Sequence, residues 1–141
     1  MAKPIYLLDI DVLAELTRPN GNRRVFTWFQ QRQNLSALAA PVVNILLGGI
    51  ESLEDGARKQ QLRGFAGELL NSGMPVLPFD RDAAIWLSRQ AARQSRLSRA
   101  WTTFEGQLAA IAAVHELVLV ARSPSAYAAT PGLKLDDWFR P

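Results

Sequence analysis

Read for its apolar positions, the chain alternates short unbroken apolar runs with longer stretches of helical period. Residues 5–9, Leu35–Leu38, Met74–Leu77 and Leu117–Ala121 are runs of the first kind, the pattern of strands covered on both faces. Between them, helical spacing predicts helices from Asp11 to about Thr17, over 23–32, from Pro41 to about Leu53, and over 55–71, 81–95 and 103–115. The punctuation agrees with this division. Arg18-Pro19-Asn20-Gly21 closes the first helix, Asn22 can cap the second, Pro41 suits a first helical turn, Asn71-Ser72-Gly73 ends the fourth helix and Asp80 can cap the fifth. After Ser123-Pro124-Ser125 a Pro/Gly-punctuated tail leaves room for a small edge strand before Trp138. Short buried strands alternating with helices predict an α/β fold, with helices on both faces of a mostly parallel sheet of four to five strands. No repeat, low-complexity tract or linker divides it, so residues 1–141 are expected to form one domain.

Composition narrows the chemistry more than the fold. Hydrophobic residues make up 48% of the chain, yet no apolar run approaches the roughly 18 residues of a membrane span, and the first residues lack a secretory pattern. The expectation is a soluble, cytoplasmic protein with no membrane partner. There is no cysteine and one histidine, which excludes disulfides, thiolate zinc sites and a cysteine nucleophile. Any metal would be a hard cation held by oxygens. The 16 Lys+Arg against 13 Asp+Glu give a formal charge of +3. Arg89, Arg93, Arg96 and Arg99 follow one another without an acid between Asp82 and Glu105. On a helix they make one cationic face, which serves either as a solvated surface or as a binding surface for an RNA backbone or an acidic partner.

Two carboxylates stand where chemistry is expected. Asp9 falls at the carboxyl end of the first strand, where open parallel sheets bind their ligands; Asp9 or Asp11 can equally cap the following helix. Glu105 completes Thr102-Thr103-Phe104-Glu105, the S/T-x-x-E pattern of a capping box. Trp28, Phe29, Trp86, Phe104 and Leu108 fall at helical spacing and read as core or interface, and His115 reads as structural.

Taken in order, YLLDIDVLAEL (Tyr6–Leu16), Arg18-Pro19, Trp28, Gly49-Ile50-Glu51, Leu77-Pro78-Phe79-Asp80 and LAAIAAVHELVLVARS (Leu108–Ser123) resemble a PIN domain of the VapC toxin type, near its FitB-like branch, over essentially the whole chain. The resemblance implies a three-layer α/β/α fold and a Mg²⁺- or Mn²⁺-dependent ribonuclease. It also implies a homodimer, neutralised by an antitoxin protein. The site it implies is a cluster of about four carboxylates holding metal. Asp9 takes the first position, with Asp11 in place of the usual asparagine, and Glu105 takes the third in place of an aspartate. Ile45 stands at the second, and no acid lies between Glu116 and Asp136 to supply the fourth, where Ala126 falls. The expected ligands are therefore Asp9 and Glu105, with Asp11 as a further candidate, and the expected metal is weakly bound. Two functional readings follow: a toxin nuclease, active or weakened, or a catalytically silent PIN-fold protein that binds RNA or an antitoxin-like partner.

Overall fold

The structure is a computed structural model and describes residues 3–94, 100–122, 124–128 and 130–141. Five short strands form its centre: β1 (Tyr6–Leu8), β2 (Ser36–Ala39), β3 (Val76–Leu77), β4 (Val118–Val120) and β5 (Lys134–Asp136). Six helices connect them: α1 (Ile10–Leu16), α2 (Arg23–Arg32), α3 (Ala40–Glu51), α4 (Ala57–Asn71), α5 (Arg81–Gln94) and α6 (Thr103–Val114). The layering is the three-layer α/β/α arrangement that the sequence predicts.

Strand order is β3-β2-β1-β4-β5, and every pairing between the described strands is parallel. The sheet is thus parallel throughout these strands, and the tail does form an edge strand, β5. From β1 the chain steps outward through β2 to β3, then returns to the other flank of β1 with β4 and β5. Two features went unpredicted, the 3-10 turns Gln33–Leu35 and Pro124–Tyr127. Neither has a hydrophobic period long enough to be read from sequence.

Burial explains the apolar runs. Leu7, Leu8, Ala37, Leu38, Ala39, Leu119 and Val120 are fully buried, as residues on strands with helices over both faces must be. Helix α6 is buried along most of its length, from Gly106 to Ala112 apart from Gln107. Gly106 lets it approach α5 closely: a Cβ there would lie 3.1 Å from a Leu87 methyl. The C-terminal tail is anchored by Trp138, which is completely buried and meets the rings of Tyr6 and Trp28 at centroid distances of 5.5 and 6.0 Å.

Candidate functional site

The return of the chain to the far side of β1 creates a topological switch point at the carboxyl ends of β1 and β4, the place where open parallel sheets expose a crevice. A cleft of about 280 Å³ opens there, walled by Asp9, Asp11, Thr102, Glu105, Arg122 and Ala126 among others. Asp9 and Asp11 come from the start of α1, Thr102 and Glu105 from the start of α6, and Arg122 from the end of β4. Carboxylates from two segments distant in sequence, Asp9 with Asp11 and Glu105, therefore line one cleft.

Asp9 is held from two sides. Its backbone N–H donates to the Val120 carbonyl at 2.9 Å, carrying the β1–β4 ladder into the site. Its Oδ1 accepts the Ile10 N–H at 2.6 Å, so Asp9 rather than Asp11 caps α1. Capping and cleft-lining are thus properties of the same carboxyl group. Only 7% of Asp9 is exposed. Burial pushes its pKa from 3.8 up to about 6; the Ile10 N–H opposes the rise, and the nearby charges of Asp11 and Glu105 add to it. A buried carboxyl beside two further acids is a place where a cation relieves electrostatic strain, and such perturbed groups concentrate at functional sites.

Glu105 is oriented by the capping box that its sequence predicts: the Thr102 N–H donates to Oε1 at 2.9 Å, and the Glu105 N–H donates to Thr102 Oγ1 at 3.1 Å. The positions without acids also find an explanation. Ile45 is 41% exposed on α3 and does not line the cleft. Ala126 does line it, but its carbonyl accepts the Trp101 indole N–H at 2.8 Å. Trp101 in turn stacks on Trp86, with an interplanar angle of 13°, and tilts against Tyr127. Where the resemblance led to an acid, the cleft is lined by the methyl group of Ala126 and by Tyr127.

The donor set sets a limit on any metal. Among the described residues no three Asp, Glu or His side chains are grouped closely enough to hold an ion by themselves. Asp9, Asp11 and Glu105 are hard oxygen donors, and Mg²⁺ commonly takes one or two carboxylates and fills its shell with water and substrate phosphate. They fit a largely hydrated Mg²⁺ or Mn²⁺, not a closed cage.

Of the predicted cationic face, Arg89 and Arg93 lie exposed on α5, outside the lining of the cleft; Arg96 and Arg99 lie outside the described residues. Among the described residues, the cation that lines the cleft is Arg122, which its place in the sequence did not single out. The only signal was its position directly after the last central strand.

No family model matches the chain, and no curated protein matches it significantly. Solved structures do. A chain of the FitAB complex bound to a DNA fragment is similar to it with a TM-score of 0.85 at 22% identity, over 97% of each chain. A chain of FitAcB from Neisseria gonorrhoeae is similar with a TM-score of 0.80 at 25% identity, over 97% of this chain and 100% of that one. A chain of the VapBC complex from Rickettsia felis, bound to a fragment of promoter DNA, gives 0.80 at 14% identity, over 95% and 98%. The likeness runs through the whole fold, switch point included.

Proposed function

We propose, from a chain that carries the fold of the VapC- and FitB-type PIN domains, that it is the toxin partner of a toxin–antitoxin pair and hydrolyses RNA phosphodiesters slowly. The observation that carries this reading is the convergence of Asp9, Asp11 and Glu105 on one cleft at the switch point, with Asp9 pushed up to about 6 by burial and by the other two. When bound, Mg²⁺ or Mn²⁺ supplies activation of water and stabilisation of charge on the phosphate. Asp9 and Glu105, with Asp11, would hold it, with water completing its shell. Oδ1 of Asp9 is fixed by the Ile10 N–H, so the carboxyl is oriented before any ligand arrives. Arg122, on the rim of the same cleft, offers guanidinium N–H groups to a phosphate oxygen. The partners in this reading are RNA, an antitoxin protein such as those implied by the FitAB and VapBC complexes, and a second copy of the chain.

The test is cleavage of a labelled RNA by the purified protein with Mg²⁺ or Mn²⁺, alongside Asp9→Ala. Metal-dependent cleavage that disappears in the variant is expected; cleavage unchanged in Asp9→Ala overturns the assignment of the site. A second reading has an observation in its favour. The absence of a three-ligand group among the described residues, with Ile45 and Ala126 at expected acidic positions, fits a catalytically silent PIN-fold protein that binds RNA or an antitoxin-like partner. RNA binding that persists without metal, with no cleavage in either cation, selects that reading.

A further inference from the structure

A second cavity, of about 610 Å³, lies at the turn between α1 and α2, at the other end of α1 from Asp9. Its walls include Glu15, Arg18, Gly21, Asn22, Arg23 and Phe26. The turn is rigidly built. Glu15 is buried; its Oε2 accepts the Asn22 N–H at 2.7 Å and its Oε1 meets the Arg18 guanidinium at 3.2 Å. Asn22 in turn donates from Nδ2 to the Phe139 carbonyl at 3.2 Å. Gly21 has no room for a side chain, since a Cβ there would lie 2.5 Å from the Glu15 carbonyl oxygen.

The charge of this cavity is one-sided. Its single lining carboxylate, Glu15, is already taken up by Asn22 and Arg18, and the Asn22 N–H is the main reason its pKa is lowered. Arg23 is exposed. Arg58 reaches across from α4 to donate to the Thr17 carbonyl at 2.9 Å, adding a third guanidinium beside Arg18. Arg122 lines the acidic cleft and lies 5.0 Å from the centre of the ring of Phe139, the residue whose carbonyl holds Asn22, and it is near enough to Glu15 to contribute to lowering its pKa. On the wall of the same cavity, Phe26 is 50% exposed and stands one helical turn from Arg23. A lone exposed phenylalanine carries no meaning. One that shares a cavity wall with Arg18 and the exposed Arg23 has the composition of a single-strand binding surface, where cations follow the backbone and a ring stacks a base.

We infer that the α1–α2 turn is a binding subsite for one nucleotide of single-stranded RNA flanking the phosphodiester in the acidic cleft, with Arg23 and Arg18 on its phosphate and Phe26 stacked on its base. Arg122 spans the two sites and sets the path of the strand between them. This inference rests on the RNA reading of the cleft proposed above. An acidic protein segment would meet the same arginines and could pack an apolar side chain on Phe26, and it is separated from RNA by the test.

The experiment is fluorescence anisotropy of the full chain with a labelled 12-nucleotide RNA and with a trinucleotide, in metal-free buffer at several salt concentrations. The probes are wild type, Arg23→Ala, Phe26→Ala and their double variant, with Arg63→Ala as a charge control on α4. For the long RNA, Phe26→Ala is expected to weaken binding by about tenfold, the scale of losing one stacked base. Arg23→Ala should lower the salt slope by about one. The trinucleotide, long enough to place one nucleotide in the subsite and a phosphodiester in the cleft, should lose affinity for the double variant as the long RNA does. Wild-type binding of the long RNA with an undiminished double variant overturns the subsite and leaves the RNA reading standing. No RNA binding by wild type overturns the RNA reading and the subsite with it. A double variant that loses affinity for an acidic helical peptide but keeps it for RNA assigns the turn to a protein partner and overturns the inference.

Discussion

Replacing Asp9 with Asn should make the protein more stable while removing the function proposed for the cleft. Asn is nearly isosteric, and its side-chain oxygen can still accept the Ile10 N–H that caps α1, but it carries no charge. In the wild type, the shift from 3.8 to about 6, at about 1.4 kcal/mol per unit, means that an ionised Asp9 costs the folded state about 3 kcal/mol. The sign follows from proton binding. Between the two pKa values the folded protein holds a proton that the unfolded chain has released, so wild-type stability falls as pH rises from about 4 to about 6 and stays low above it. Asp9→Asn lacks this term. Its own buried amide N–H groups need partners, which reduces the gain, so roughly 1–3 kcal/mol is expected at pH 8. At about 3–4 °C per kcal/mol for a chain of this size, Tm should rise by roughly 3–12 °C. Urea and thermal unfolding followed by circular dichroism in EDTA, at pH 8 and pH 4, measure it. The advantage should shrink to a fraction of a kcal/mol at pH 4. A variant no more stable than wild type at pH 8, or one with the same advantage at both pH values, refutes the argument that burial and neighbouring acids strain Asp9. Millimolar Mg²⁺ should raise the Tm of wild type and leave that of Asp9→Asn unchanged, since a ligand stabilises only the state that binds it.

Glu15→Gln keeps the acceptor for the Asn22 N–H but loses the charge that pairs with Arg18; because the folded-state pKa of Glu15 is lowered, the stability it contributes is present above the unfolded value of 4.5 and lost as pH falls through the folded one, so the variant's deficit in urea unfolding should be seen at pH 7 and fade in acid. Thr102→Ala removes half of the capping box that orients Glu105; a loss of about 1 kcal/mol is expected by chemical denaturation, together with weaker Mg²⁺ binding by calorimetry. Ala126→Asp adds a carboxylate to the cleft wall and should tighten Mg²⁺ binding severalfold to about tenfold, the scale of one added charge at a few ångströms in a hydrated site. Unchanged affinity there would mean that residue 126 does not face the ion.

By itself the sequence determined what depends on neighbours along the chain. Apolar runs of strand length, helical spacing, Asn22 and Thr102 as caps, Pro41 at a first turn and the capping box of Glu105 are local features. Their elements appear within a residue or two of where the period places them, because helix ends and strand limits are set by the nearest backbone groups. Asp9 at the end of β1 was legible for the same reason. What the tertiary structure decided is everything that depends on which strand lies beside which. Placing β4 against β1, not beyond β3, brings Glu105, Arg122 and Ala126 to Asp9, and the tail at Phe139 meets both Asn22 and Arg122. Those pairings come from burying the apolar faces of all five strands and six helices at once, a condition no window of the sequence contains. Only that burial takes Asp9 out of water and gives its carboxyl the raised affinity for protons, and by the same physics for cations, on which the proposed function turns.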